Sequence, residues 1–328
     1  MILLTGATGF VGSAVAEALH REGMPLAALV RETSATGRLR SLGIPLRMGD
    51  VTDPQSIYDA LEGVSTVIHT AALVSFQPED RDQMLKINGE GTANVVNMAL
   101  ERGVRRLIHL SSVAALDRVD GGPVVTLADR WPQQRPRTTY AESKAAAERE
   151  VWRGQAEGLE VSVLYPSLVL GVGDFTGDNT PALWRMAARG RGFYPQGTTG
   201  VVAREDVVRA VLFVLEQDKD GLRLLLNAEN LSWREFMTAI AESIGAKPPS
   251  RAVPAWQSAL LWPVDGLRAR LAGKRPLITR ESHRNVQARY AYDGSSYVAT
   301  TGQDYTNVRA LIGTIGQRFR KETEKQNK

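Results

Sequence analysis

Six short apolar runs dominate the first half of the chain: MILLT (1–5), PLAALV (25–30), IPLRMG (44–49), TVIHT (66–70), RRLIHLS (105–111) and EVSVLYP (160–166). They barely alternate between apolar and polar residues, which marks strands covered on both faces. Helix-length stretches separate them, among them VGSAVAEALHREG, DPQSIYDALEG and a long one near 81–102. A strand cannot return parallel to its neighbour without such a crossover, and right-handed crossovers build a doubly wound sheet. The predicted class is α/β: a doubly wound, Rossmann-type parallel sheet with a smaller, mostly helical C-terminal lobe.

The rhythm breaks after about residue 166. Residues 171–200 are rich in Gly, Thr and Asp around one helical segment, PALWRMAARG. A helix near 204–217 and a strand, RLLLN, then read as a return to the sheet. The predicted sheet domain is 1–165 with 201–228, and the predicted lobe is 166–200 with 229–328.

TGATGFVGSAVAEAL sets Gly6, Gly9 and Gly12 between the first strand and the first helix. Glycines there allow a tight turn and a close approach to a pyrophosphate, and the helix N-terminus attracts its oxygens. Farther on, YAESK places Tyr140 and Lys144 four residues apart, hence on one face of a helix. An ammonium beside a phenol favours the phenolate, so Lys144 is expected to lower the tyrosine pKa.

Together these motifs resemble the extended short-chain dehydrogenase/reductases, nearest their dihydroflavonol-reductase and 3β-hydroxysteroid-dehydrogenase branch, over most of the chain. The resemblance implies a dinucleotide held by Gly6, Thr8, Gly9, Phe10, Val11 and Gly12. GDVTD places Asp50 and Val51 beside the adenine, and HTAA supplies Thr70, Ala71 and Ala72 along the cofactor. Asn88 of NGEGT matches the family's asparagine and is expected against the cofactor. In HLSS, Ser112 matches the catalytic serine, with Ser111 adjacent. PSLVLGVGD (166–174) resembles the start of the substrate-binding segment, and its Pro166 and Ser167 count among the expected cofactor contacts.

The implied chemistry is hydride transfer between a nicotinamide and a carbonyl carbon. Tyr140 exchanges the proton, Lys144 also bonds the nicotinamide ribose, and Ser112 holds the carbonyl oxygen. No metal is needed. The second strand ends LVRET, where Arg31, with Arg38 and Arg40 behind it, favours NADP over NAD. The alternative gives the ribose to Glu32 and makes NAD the cofactor.

Dehydratase members carry an acidic pair after the active-site Ser or Thr; Val113 and Ala114 stand here. Where many sugar-nucleotide members carry Arg and Asn, this chain has Tyr165 and Leu168. Phe76, Phe175, Trp184, Phe193 and Tyr194 in the pocket segments suit a bulky, apolar ketone, aldehyde or secondary alcohol, the alternative for each being ordinary core. An NDP-sugar epimerase with tightly bound NAD is the alternative, and a non-catalytic nucleotide-binding sensor or scaffold the next.

Composition bounds the rest. No cysteine is present, so disulfides, thiolate metal sites and a cysteine nucleophile are excluded. The histidines at 20, 69, 109 and 283 lack metal-ligand spacing and are expected to be structural. The net charge is +4 with scattered arginines, which is no nucleic-acid footprint. No apolar run reaches the length of a membrane span, and the strand beginning at Met1 leaves no room for a leader, so a cytoplasmic protein without nucleic-acid or membrane partners is expected. AVPAWQSALLWPV (252–264) is interrupted by prolines and reads as lobe packing, a lid or membrane-surface role being the alternative. Ala141, Ala145 and Trp152 lie on one helical stripe that could pair two copies into a homodimer, the alternative being that it packs within one chain.

Overall fold

The computed structural model describes residues 1–127, 138–173, 175, 180–190, 192–217, 219–276 and 278–326 of the chain. Its first half runs β1 (Ile2–Thr5), α1 (Phe10–Arg21), β2 (Leu26–Val30), α2 (Gly37–Ser41), β3 (Leu46–Met48), α3 (Pro54–Ala60), β4 (Thr66–His69), α4 (Arg81–Met84), α5 (Gly91–Glu101), β5 (Arg106–Leu110), α6 (Thr139–Ala156) and β6 (Glu160–Pro166). Then follow β7 (Leu168–Leu170), α7 (Thr180–Ala188), β8 (Phe193–Pro195), β9 (Thr198–Ala203), α8 (Arg204–Glu216), β10 (Leu222–Leu226), β11 (Glu229–Ser232), α9 (Trp233–Ser243) and β12 (Arg251–Val253). The chain closes with α10 (Ala255–Leu271), α11 (Arg280–Gln287), α12 (Ser295–Thr301) and α13 (Val308–Gln326).

The main sheet has seven strands in the order β10-β6-β5-β4-β1-β2-β3, every neighbouring pair parallel. Its strands are buried on both faces, as their lack of alternation implies. Leu3, Val67, Leu107 and Val161 meet α3, α5 and α6. Leu4, Ile68, Ile108 and Leu164 meet α1 and α8 on the other side. The chain's direction of travel reverses between β1 and β4, so a crevice opens beyond their C-terminal ends, where such sheets hold ligands.

The lobe has its own core, in which Trp184, Leu231, Phe236, Ile240, Ile312 and Phe319 pack α7, α9 and α13 together over β7 and β9. Its strands form a three-stranded sheet, β11-β9-β7, and a pair, β12-β8. A capping box, Ser232 with Glu235, starts α9. Tyr297 of α12 is buried with the sheet's α1 and α8 side, so this short helix beyond residue 228 packs on the sheet.

The long helix expected near 81–102 is not regular: a π-helical turn, Leu85–Glu90, separates α4 from α5. Such a turn carries an extra residue per bond and often marks a functional place.

Candidate active site

The loop after β1 is built for close approach. Gly6 has φ +72°, and a Cβ there would lie 2.6 Å from the Ala71 nitrogen. A Cβ on Gly12 would lie 2.1 Å from the Gly6 carbonyl oxygen. Gly9 caps α1 without any side-chain hydrogen bond, and no acid stands in the first turn. The N–H groups of Phe10, Val11 and Gly12 thus meet the positive end of the helix with no intrahelical acceptor. Thr8, Gly9 and Phe10 are exposed around them. This cradle fits a pyrophosphate. Thr70 closes its far wall, donating from its hydroxyl to the Thr5 carbonyl at 2.7 Å, and Ala72 beside it is exposed.

On the adenine side, the Asp50 carboxylate accepts from the Thr52 amide (2.8 Å) and hydroxyl (2.9 Å). Val51 is buried beneath α5, where a Cβ on Gly91 would lie 2.9 Å from its methyl. Of the arginines expected near a 2′-phosphate, Arg38 is paired with Glu17 at 2.8 Å and Arg40 donates to Thr36 at 3.2 Å. Arg31 is exposed, and among the described residues its guanidinium has no partner. Its amide donates to the Ser34 hydroxyl at 3.0 Å.

Three elements bring the reactive side chains together. Ser112 leaves β5 and starts a 3-10 turn, Val113–Ala115, accepting from the Ala114 amide at 3.1 Å. Tyr140 lies in the first turn of α6, which is capped by Thr138, whose hydroxyl accepts from the Ala141 amide at 3.1 Å. The Ser112 hydroxyl is near enough to the phenol to favour its ionised form. One turn on, Lys144 is buried and donates to the Leu110 carbonyl at 2.7 Å. The Phe76 ring meets the Tyr140 ring edge-on, 6.5 Å between centroids.

The electrostatics differ from expectation in one respect. Burial raises the Tyr140 pKa, and the Ser112 hydroxyl and the Arg118 charge oppose that rise. Lys144 is not among the groups lowering it. Its ammonium is turned to the Leu110 carbonyl, and burial brings its own pKa down to about 8 despite the charge of Glu148. The phenol therefore stays protonated at neutral pH, the form a proton donor requires.

Beneath this trio lies a polar layer, part of which the sequence reading missed. Glu148 is buried and accepts from Ser111 (3.2 Å), Trp152 (3.0 Å) and Tyr165 (2.6 Å). Its place in YAESKAAAE, four residues beyond Lys144, was the available signal. His69 meets Thr5 at 2.7 Å and Thr92 at 3.0 Å, the structural role expected of it. His109 stacks on His69, 5.4 Å between ring centroids, with both ring nitrogens buried and unpartnered among the described residues. Burial keeps both histidines uncharged at neutral pH, His69 being lowered to about 3.

Asn88, expected against the cofactor, has its amide engaged elsewhere. It accepts from the Leu73 amide (2.7 Å) and donates to the Leu73 carbonyl (2.9 Å) and the Ser143 hydroxyl (2.9 Å). It sits on the π-helical turn, whose carbonyl at Asn88 accepts from Thr92 at 2.6 Å. Asn88 thus holds the loop after β4 against the tyrosine helix.

Other expectations are revised. Ala141 and Ala145 are buried inside the chain and Trp152 packs on the sheet's core, so that stripe offers no free dimer face. Phe175, Trp184 and Tyr194 belong to the lobe core and Phe193 is 53% exposed, leaving Phe76 as the one of the five in ring contact with Tyr140. Asp174, the end of the expected substrate segment, lies outside the described residues. Pro166 ends β6, and Ser167 follows with a buried hydroxyl lacking a partner among the described residues. The lobe reaches the site through Glu281, whose carboxylate accepts from the Thr139 amide (3.1 and 3.0 Å) and hydroxyl (2.8 Å) at the start of α6. A hollow of about 580 Å³ on the lobe, with Arg234, Glu235, Glu242 and Arg309 in its wall, contains none of these residues.

Comparison with known proteins identifies the family. The NAD dependent epimerase/dehydratase family matches residues 2–224. Sterol demethylase protein B of Methylococcus capsulatus is 32% identical over 77% of each chain. A putative dihydroflavonol 4-reductase of Synechocystis is 26% identical over 94% of this chain and 91% of its own. The crystal structure of gox2253 superposes with a TM-score of 0.83 at 30% identity, covering 98% of both chains. The chain belongs to the NAD dependent epimerase/dehydratase family, the extended short-chain dehydrogenase/reductases, oxidoreductases that bind a nicotinamide dinucleotide.

Proposed function

We propose that this protein is an NADPH-dependent reductase of a bulky, largely apolar ketone or aldehyde, able to run as the corresponding alcohol dehydrogenase. The observation that carries the reading is Tyr140 beside Ser112 with buried Lys144 one turn on, and Val113 and Ala114 instead of acids after the serine. The bound nicotinamide supplies or accepts the hydride. Tyr140, protonated at neutral pH, gives its proton to the carbonyl oxygen in reduction and takes it back in oxidation. Ser112 donates to that oxygen as charge grows on it. Lys144 holds the nicotinamide ribose, and Gly6, Thr8, Gly9, Phe10, Val11 and Gly12 hold the pyrophosphate. Asp50 and Val51 flank the adenine, Thr70, Ala71 and Ala72 line the cofactor's length, and Pro166 and Ser167 meet its nicotinamide end. Unpaired Arg31 takes the 2′-phosphate, which favours NADP. The relatives bearing reductase names, among them the dihydroflavonol 4-reductase and a 2-alkyl-3-oxoalkanoate reductase, support carbonyl reduction over sugar epimerisation.

The test is a panel of apolar ketones and aldehydes with NADPH and with NADH, followed by absorbance at the nicotinamide band. Oxidation of NADPH in preference to NADH is expected with at least one carbonyl. Tightly bound NAD together with interconversion of a nucleoside-diphosphate sugar would overturn the proposal.

A further inference from the structure

Helix α10 presents its apolar residues the wrong way round for a packed helix. Trp256, Leu260, Val264, Leu267 and Leu271 are 65%, 64%, 67%, 61% and 81% exposed. At about 100° per residue they share a sector about 80° wide. The buried residues of the same helix, Ser258 and Ala269, lie opposite that sector. Ser258, Ala269 and half-buried Trp262 thus face the protein while five large apolar side chains face water, the reverse of an ordinary surface helix. The expectation that 252–264 packs within the lobe holds for its inner side, where Gln287 donates to Val253 and Ser258, and not for its outer face. The helix also continues through Pro263.

The charge around the stripe is positive. Arg268 and Arg270 flank it about 80° to either side. Residues 251–284 hold seven Lys and Arg against two Asp and Glu, so this short stretch exceeds the +4 of the whole chain. Arg268 pairs with Asp265 and Arg275 with Asp80. Arg251, Arg270, Lys274 and Arg280 are exposed and without partners among the described residues.

We propose that the outer face of α10 docks on the surface of an anionic phospholipid bilayer. The stripe enters the boundary between headgroups and acyl chains, and the free basic residues meet lipid phosphates. Charge decides against a second copy of the chain, since self-docking would set this positive face against itself. Shape agrees, because the stripe runs about 22 Å along one exposed helix face. No helix among the described residues is long and apolar enough to cross a membrane, so the contact is interfacial.

The docked helix is tied to the active site. Beyond α10, Arg275 pairs with Asp80, the Pro276 carbonyl accepts from Gln77 at 2.9 Å, and Thr279 donates to the Phe76 carbonyl at 2.7 Å. Phe76 is the ring against Tyr140. Docking would therefore hold the cleft near the lipid in which an apolar substrate dissolves; only this step rests on the proposed reductase activity.

Co-sedimentation of the full chain with phosphatidylcholine vesicles, with and without phosphatidylglycerol, tests the docking. Binding about tenfold stronger to the anionic vesicles is expected, weakening in about 0.5 M salt. Leu260→Ser/Val264→Ser/Leu267→Ser should abolish it, and Arg270→Glu/Lys274→Glu should remove the preference for anionic lipid. Both variants should turn over a water-soluble carbonyl as the parent does, which separates failure of docking from failure of the reductase reading. No vesicle binding, or binding indifferent to the triple variant, would overturn the proposal and leave the face to a protein partner. A lipid-free dimer of the parent that the triple variant converts to monomer would overturn it in favour of a second copy.

Discussion

The C-terminal edge of the sheet and the outer helix of the lobe use the same residue types in opposite senses. At the sheet edge, charged and polar groups are buried: Lys144 on a carbonyl, Glu148 on three donors, Asn88 on Leu73 and Ser143. On α10, apolar groups stand in water while basic ones rim them. Buried polar groups cost stability unless they are satisfied, and this layer lets few rearrangements keep every bond. Chemistry that needs fixed distances belongs there. Exposed apolar surface costs little to the isolated fold and gains only on contact. The first region positions the reaction, and the second is free to determine where the protein sits.

Substitutions can break or sharpen this contrast, and Lys144→Met should have the largest effect. Turnover should fall by about 10²-fold or more, with weaker cofactor binding by fluorescence titration. Its effect on stability carries a sign. Because the folded pKa is lowered to about 8 from 10.5, the parent should gain stability as pH rises between those values. At neutral pH the buried ammonium costs roughly 3 kcal/mol. Urea unfolding of the Lys144→Met protein should lack that rise; an unchanged rise would mean that the lysine is not buried as described.

Glu148→Ala should destabilise by about 3–5 kcal/mol, because it strands three donors and leaves the Lys144 charge without its neighbour. A loss below 1 kcal/mol in urea unfolding would show that the buried layer is loosely held. Arg31→Ala should weaken NADPH binding by about 1–3 kcal/mol and leave NADH nearly untouched. Equal losses would remove the basis for preferring NADP. Glu281→Gln weakens the lobe's hold on the start of α6 and should cost about 1 kcal/mol of stability. The smallest effect belongs to α10: Leu260→Ser should change stability by no more than about 0.5 kcal/mol. A cost of 2 kcal/mol or more would mean that the helix is packed and the contrast false.

The sheet was legible because buried strands and crossover helices leave a periodic record, from MILLT to RLLLN. The glycine loop and YAESK were legible because their chemistry is local: a turn, and two residues on one helical face. What escaped depends on distant partners. The direction of the Lys144 ammonium follows from the Leu110 carbonyl, 34 residues away, and the engagement of Asn88 follows from Leu73 and Ser143. The π-helical turn left a trace in Gly89 and Gly91, which let the helix approach Ala146 and Val51. The α10 stripe was visible as apolar residues, but periodicity alone does not say which face meets the protein. Prolines suggested a break that the helix does not make.

The most direct test is steady-state turnover of NADPH and an apolar carbonyl by Tyr140→Phe, alongside cofactor titration on the same preparation. The substitution removes one oxygen and keeps the ring against Phe76. Turnover should fall by about 10²–10⁴-fold with NADPH affinity near that of the parent. Turnover within about threefold of the parent would show that Tyr140 is not the proton donor.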